Sequence, residues 1–266
     1  MTPGYTAPRD VEGVVAALAN GDGLAIGGGT MLVPDLTHGK SRPGVLVDLS
    51  RAGLAGITAT GEGAVVGAMT TYADLMAADV PLLPRVARGI TGGPQIRHRG
   101  TAGGSACYAN PASDVPACLV ALKARMRLAS VRGEREVGAE EFFTGGFRTV
   151  REPDEVLTAF TVPRTDTAIG YLKFKLAESS WPIVTAAALV GAATVRVAIG
   201  GAAATPVVVE VERESWNQTH REAVLAALDD TEPWSDVLAD AAYRRRIASV
   251  IADRAVANAV KEELCD

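Results

Sequence analysis

The chain is poor in the residues from which most hydrolytic, metal and cluster sites are built. Its three cysteines, Cys107, Cys118 and Cys265, are an odd number without a C-x-x-C spacing, which argues against a disulfide framework and against a cysteine-ligated cluster. The three histidines, His38, His98 and His220, stand far apart with no metal-ligand spacing. Neither G-x-S-x-G nor any Ser/His/Asp arrangement occurs. The basic surplus of a nucleic-acid binder is also missing, since 26 Lys and Arg face 31 Asp and Glu for a net charge of -5. No apolar run approaches the roughly 20 residues of a membrane span. The opening MTPGYTAPRDVEG lacks the basic and apolar regions of a secretory signal, so the expectation is a cytoplasmic globular protein.

One motif is an imitation and another is missing. Gly39-Lys40-Ser41 looks like the end of a phosphate-binding P-loop, but Pro34 stands where that motif needs its first glycine. G-x-G-x-x-G is absent, which leaves a Rossmann site without support.

Periodicity supplies the organisation. Asp10 is placed to cap a helix whose Val11, Val14, Val15 and Leu18 share one face. LAIGGGT (24–30) reads as a buried strand running into a glycine loop, and VLVDL (45–49) as a second strand. LAGITAT (54–60) and AVVGAM (64–69) form a hairpin across Gly61-Glu62-Gly63, and 70–79 and 82–90 are helical. A loop is expected up to Asp114, followed by a helix over 115–124 and strands over 125–131 and 155–162 around a glycine-rich connection. Pro163 to Asp166 is a breaker cluster. Strands then dominate over 171–177, 182–190, 194–201 and 206–212, and helices over 220–228 and 236–260 close the chain. Without strict β-α-β alternation the fold class is α+β.

What is present in excess is adjacent glycine, at 27–29, 92–93, 103–104, 145–146 and 200–201. Glycine pairs usually mark turns, and 92–93, 145–146 and 200–201 are read so. GGGT (27–30) and TAGGS (101–105) differ in context: the first ends a strand, and the second follows Arg97-His98-Arg99 and precedes a helix. Loops of this kind expose successive backbone N–H groups as a nest for phosphate oxygens. Thr30, Thr101 and Ser105 add hydroxyls, and Asp114 is available to accept from a ribose or a ring N–H. Two such loops clamp the two phosphates of a dinucleotide.

These residues resemble the FAD-binding (medium) subunits of molybdenum hydroxylases, the family that includes the flavoprotein of carbon monoxide dehydrogenase and the flavin domain of xanthine dehydrogenase. The resemblance runs through GGGTMLVP (27–34), VGAMTTYADL (66–75), QIRHRGTAGGSACYANPASDVPACLVAL (95–122), VRVAIGGAAATPV (195–207) and DAAYRRRIASVIADRA (240–255), in order and over nearly the whole chain. It implies two N-terminal FAD-binding subdomains, 1–53 and 54–165, and a smaller α+β C-terminal domain, 166–266. It implies FAD held by Gly27, Gly28, Gly29, Thr30 and Met31 and by Thr101, Ala102, Gly103, Gly104 and Ser105, largely through backbone N–H groups, with Asp114 near the cofactor and Lys173 beside the flavin.

The implied role is electron transfer. FAD would take electrons from 2Fe-2S centres on a small subunit, fed by a molybdenum-cofactor large subunit, and pass them to NAD, a quinone or oxygen. The competing reading is a free-standing FAD-dependent oxidoreductase acting directly on a small molecule, for which Tyr108, Glu178 and His98 are the candidate bases. One departure from the family is Leu176-Ala177-Glu178-Ser179-Ser180 ahead of Trp181-Pro182, where many relatives carry arginines and an acid. That segment is expected to approach the flavin or the partner surface.

Overall fold

The Asp10 carboxylate accepts from the Gly13 amide and caps α1 (Val11–Leu18), whose Val14, Val15 and Leu18 are buried. That face packs on a parallel sheet of β1 (Gly4–Thr6), β2 (Gly23–Ile26) and β3 (Val45–Asp48) in the order β1-β3-β2. A short α2 (Leu32–Thr37) follows the glycine loop that leaves β2. The computed structural model describes residues 3–263; Cys265 lies outside them.

The second sheet is antiparallel. β4 (Ile57–Thr60) and β5 (Gly63–Gly67) make the expected hairpin, and Ala64 and Val66 alternate inward with the period of two that a half-buried strand requires. The chain then makes helices α3 (Tyr72–Met76), α4 (Leu83–Gly89), α5 (Gly93–Arg99), α6 (Ala102–Tyr108) and α7 (Asp114–Ala121). It returns through β6 (Arg125–Ser130), β7 (Gly133–Gly138), α8 (Ala139–Phe142), β8 (Phe143–Gly145), β9 (Arg148–Thr149) and β10 (Val156–Pro163). β10 enters between β5 and β6, giving the order β4-β5-β10-β6-β7. This last-in, central strand brings residues just before 156 against the first sheet, where Val156 joins the core of Val14, Leu18 and Val47.

The third sheet, β11 (Ala168–Lys175), β12 (Pro182–Val190), β13 (Thr194–Gly200) and β14 (Val207–Glu212), is an antiparallel meander. α9 (Trp216–Asp229) and α10 (Ala241–Glu263) cover one face, with Val224, Ala248, Ile251 and Ala255 in the core. α7 packs on β12 and β13 from the other side, and Ala187 and Ala198 join the core of Val115, Cys118 and Leu119 there. Covered by the third sheet on one side and by α4, α6 and α8 on the others, α7 is buried along its whole length, which explains a helix apolar at every position after Asp114.

The architecture is α+β, as expected. Local expectations fail in places: the stretch up to Asp114 is not a loop, because α5 and α6 lie in it, the connection before β10 contains β7, and the last helix starts at Ala241 and not at 236. Thr101 starts α6 as its N-cap, its Oγ1 accepting from the Gly104 amide at 3.0 Å, an interaction that typically contributes about 1 kcal/mol. The adjacent glycines that look like a loop breaker sit in the first turn of a helix.

Candidate cofactor site

β2 ends at Ile26, and the chain turns through Gly27 to Met31 before α2 begins. Among the described residues the amide N–H groups of Gly28, Gly29, Thr30 and Met31 donate to no protein carbonyl or side chain. A row of open donors at the carboxyl end of a parallel strand is the arrangement that receives anionic oxygens. The same turn touches the segment joining α5 to α6. A Cβ on Gly28 would overlap the carbonyl oxygen of Arg99, so only glycine allows the two backbones to meet here.

The second stretch offers less backbone than the first. The Ala102 amide donates to the Thr70 carbonyl at 3.3 Å and that of Ser105 to the Thr101 carbonyl at 3.1 Å. With Gly104 engaged by the Thr101 hydroxyl, the Thr101 and Gly103 amides are the donors of this turn left open. Gly103 itself has to be glycine, since a Cβ would run into Ala68 of the neighbouring β5 end. The Ser105 hydroxyl is hydrogen-bonded to the Tyr72 phenol, whose pKa burial drives upward. The two turns therefore differ: four open amides on the first, and two open amides, side-chain oxygens and a tight backbone surface on the second.

Both turns line one cleft, shared by Gly27 to Met31, Thr101, Gly103, Gly104 and Ser105. Ala102 is fully buried behind this wall. The far walls were not visible in the sequence: Leu24 and Ala25 of β2, Leu49 after β3, and Arg151, Glu155, Val156 and Leu157 leading into β10. Cys107 and Tyr108 complete the lining. The Tyr108 phenol donates to Asp35 Oδ2 at 2.8 Å, tying α6 to α2 across the cleft.

Asp114 and Lys173 are brought together, but they are not on this wall. Lys173 Nζ lies 2.7 Å from Asp114 Oδ2 with the two side chains 8% and 4% exposed. It also donates to the Gly89 carbonyl at 2.8 Å, and the Tyr171 phenol donates to Asp114 Oδ1 at 2.6 Å. The four groups join α4, α7 and β11 in one buried network, and Tyr171 was missed because nothing in its sequence neighbourhood marks it. Burial, reinforced by the Asp114 charge, pushes the Tyr171 phenol well above its ordinary pKa.

The candidate bases are poorly placed. Burial, with the Asp35 hydrogen bond, pushes Tyr108 up to about 12, the wrong direction for a base near neutrality. Glu178 is 97% exposed and paired to Lys175 at 2.8 Å, which lowers its pKa. His98 is an exposed α5 residue bonded through Nδ1 to the Pro94 carbonyl. His38 and His220 bond in the same way to carbonyls four residues back, and no three-ligand group for a metal occurs among the described residues. The Leu176–Ser180 segment is the β11–β12 turn, outside the cleft wall, with Leu176 66% exposed.

Open amides in a row, a gap that only glycine can close, and apolar walls with one cation are the features of a site for a dinucleotide cofactor. Comparison with known proteins fixes which one. Residues 1–165 match the family described as the FAD binding domain in molybdopterin dehydrogenase. The carbon monoxide dehydrogenase medium chain of Afipia carboxidovorans is 35% identical, over 97% of this chain and 98% of its own. Two solved structures superpose over nearly the whole molecule. Carbon monoxide dehydrogenase from Hydrogenophaga pseudoflava gives a TM-score of 0.85 at 31% identity, covering 98% of this chain and 99% of that one. Quinoline 2-oxidoreductase from Pseudomonas putida 86 gives 0.89 at 27% identity, covering 98% of each. The chain belongs to the family of FAD-binding medium subunits of molybdenum hydroxylases. It is an FAD-dependent oxidoreductase component, and no described helix is long and apolar enough to cross a membrane.

Proposed function

We propose that the chain is the electron-transfer subunit of a three-component molybdenum hydroxylase, working in the cytoplasm. It would receive electrons from 2Fe-2S centres on a small partner subunit, fed by a molybdenum-cofactor large subunit, and pass them through FAD to NAD, a quinone or oxygen. FAD, when bound, supplies the redox chemistry; the protein supplies placement and electrostatics.

The observation that carries this reading is the cleft itself: its first turn presents open amides, burial holds its Cys107 and Tyr108 toward their protonated forms, Glu155 is engaged by Arg135, and no metal-binding group occurs among the described residues. In this reading the amides of Gly28, Gly29, Thr30 and Met31 hold the pyrophosphate, with Gly27 shaping the turn. Thr101, Ala102, Gly103, Gly104 and Ser105 form the opposing jaw, mostly by shape. Asp114 and Lys173 hold the third sheet, and with it residues 166–266, in fixed position against 54–165. Those limits, with 1–53 as the first unit, are the proposed domain division.

Affinity purification of the tagged chain from its own organism, with flavin, molybdenum and iron quantified, tests the proposal. Molybdenum and iron eluting in fixed ratio to FAD is the expected result. A flavin-only protein that turns over a small molecule by itself would overturn it in favour of the free-standing oxidoreductase.

A further inference from the structure

We infer that Arg151 is the side chain that lets this cleft hold the ADP half of its cofactor, and so selects FAD over FMN; the inference rests on the FAD reading above. Arg151 is the sole lysine or arginine on the cleft wall among the described residues. Its arm is fixed by the main chain, Nη1 donating to the Glu152 carbonyl at 3.0 Å and the Glu155 carbonyl at 2.8 Å. Its Nε and Nη2 make no hydrogen bond, and no carboxylate of the described residues lies within ion-pairing distance.

The neighbouring acid does not answer this charge. Glu155 is 3% exposed, and its oxygens take Arg135 at 2.6 and 2.8 Å and the Glu152 amide at 2.8 Å. Arg132 adds a further contact at 3.9 Å. Arg135 and Arg132 thus neutralise the acid from the far side, and the one cation facing the cleft is left without a counterion. A half-buried guanidinium that shares a cleft wall with Leu24, Ala25, Leu49, Val156 and Leu157, with two nitrogens open and no counterion, is free to take an anionic or stacking ligand. Phosphate oxygens and a purine face are what a guanidinium fork serves well, by paired hydrogen bonds and by stacking. FMN offers one phosphate and no purine, whereas FAD offers both halves.

The test uses the full chain stripped of flavin and titrated calorimetrically with FAD, FMN and ADP. R151Q is expected to lose about tenfold or more in affinity for FAD and ADP, the loss of charge-assisted contacts, while FMN affinity stays unchanged. R151K, which keeps the charge and loses the fork, should fall between, and it carries the test if R151Q does not fold. Wild-type affinity for FAD and ADP in both variants, or an equal fall for FAD and FMN, would overturn the inference. A wild-type chain that binds neither FAD nor ADP would overturn the FAD reading and this one with it.

Discussion

Lys173 on β11 and Asp114 at the start of α7 are 59 positions apart in sequence, and their charges meet 2.7 Å apart with almost no solvent between them. Lys173 reaches on to the last carbonyl of α4, so one lysine fastens three elements. Asp114 is held from its other side by the Tyr171 phenol, which leaves the carboxylate fully satisfied.

Removing one partner leaves a buried charge without compensation, which typically costs about 3–5 kcal/mol. K173M and D114N are each expected to destabilise strongly, and the double variant to lose less than the sum of the two. Urea unfolding of the four proteins in a double-mutant cycle measures this. Additive losses would mean that the pair is not coupled.

Gly28 is predicted to be the most sensitive position of the first turn. G28A forces the turn away from the Arg99 carbonyl and should abolish stoichiometric FAD retention while leaving most of the fold intact. Gly61, in the β4–β5 turn with nothing near its missing Cβ, is the control. G61A should stay within about 0.5 kcal/mol of wild type. Flavin content after gel filtration reports the first effect, and thermal melting the second.

Glu155 gives a pH signature. The Arg135 hydrogen bonds hold its carboxyl below the usual range, against the opposing effect of burial. The folded state therefore binds fewer protons than the unfolded one in that window. The stabilisation is complete above the unfolded value of about 4.3 and is lost as the pH falls through the lower folded value. Unfolding midpoints are expected to drop more steeply below about pH 4 in the wild type than in E155Q. Glu210 and Glu136, lowered by Arg196 and by Arg125 respectively, keep some slope in the variant. Between pH 5 and 7 the two proteins should show the same dependence.

Tyr108→Phe separates the two functional readings. Losing the hydrogen bond to Asp35 should cost about 1 kcal/mol in stability or FAD affinity. With its phenol ionising near 12, the residue cannot act as a base at neutral pH, so electron flow through the assembled complex should keep its pH profile in Y108F. A profile displaced by the substitution would favour direct substrate chemistry on this chain.

Much of this was legible where a short pattern decides the structure. Asp10 with Val14, Val15 and Leu18 announces α1, and Gly61 to Gly63 announces the β4–β5 hairpin. The two glycine turns of the cleft are legible for the same reason, because a backbone that must pass close to another backbone demands glycine. Local signals misled at α6, where Thr101 caps a helix through glycines that look like a breaker. β7 was absorbed into a connection because most of its residues, Gly133 to Glu136, are exposed. Arg151 and Glu155 were out of reach because no motif surrounds them; only the insertion of β10 between β5 and β6 carries them to the cleft. The closure of Lys173 and Tyr171 on Asp114 likewise depends on how the third sheet lies against α7.

The most direct test of the central claim is the absorption spectrum of the full chain expressed alone, with the released cofactor identified by mass and quantified against protein. Flavin bands with FAD in one-to-one ratio are the predicted result. A folded chain that stays colourless when FAD is supplied, or that carries FMN instead, would contradict the assignment of the two glycine turns as a dinucleotide clamp.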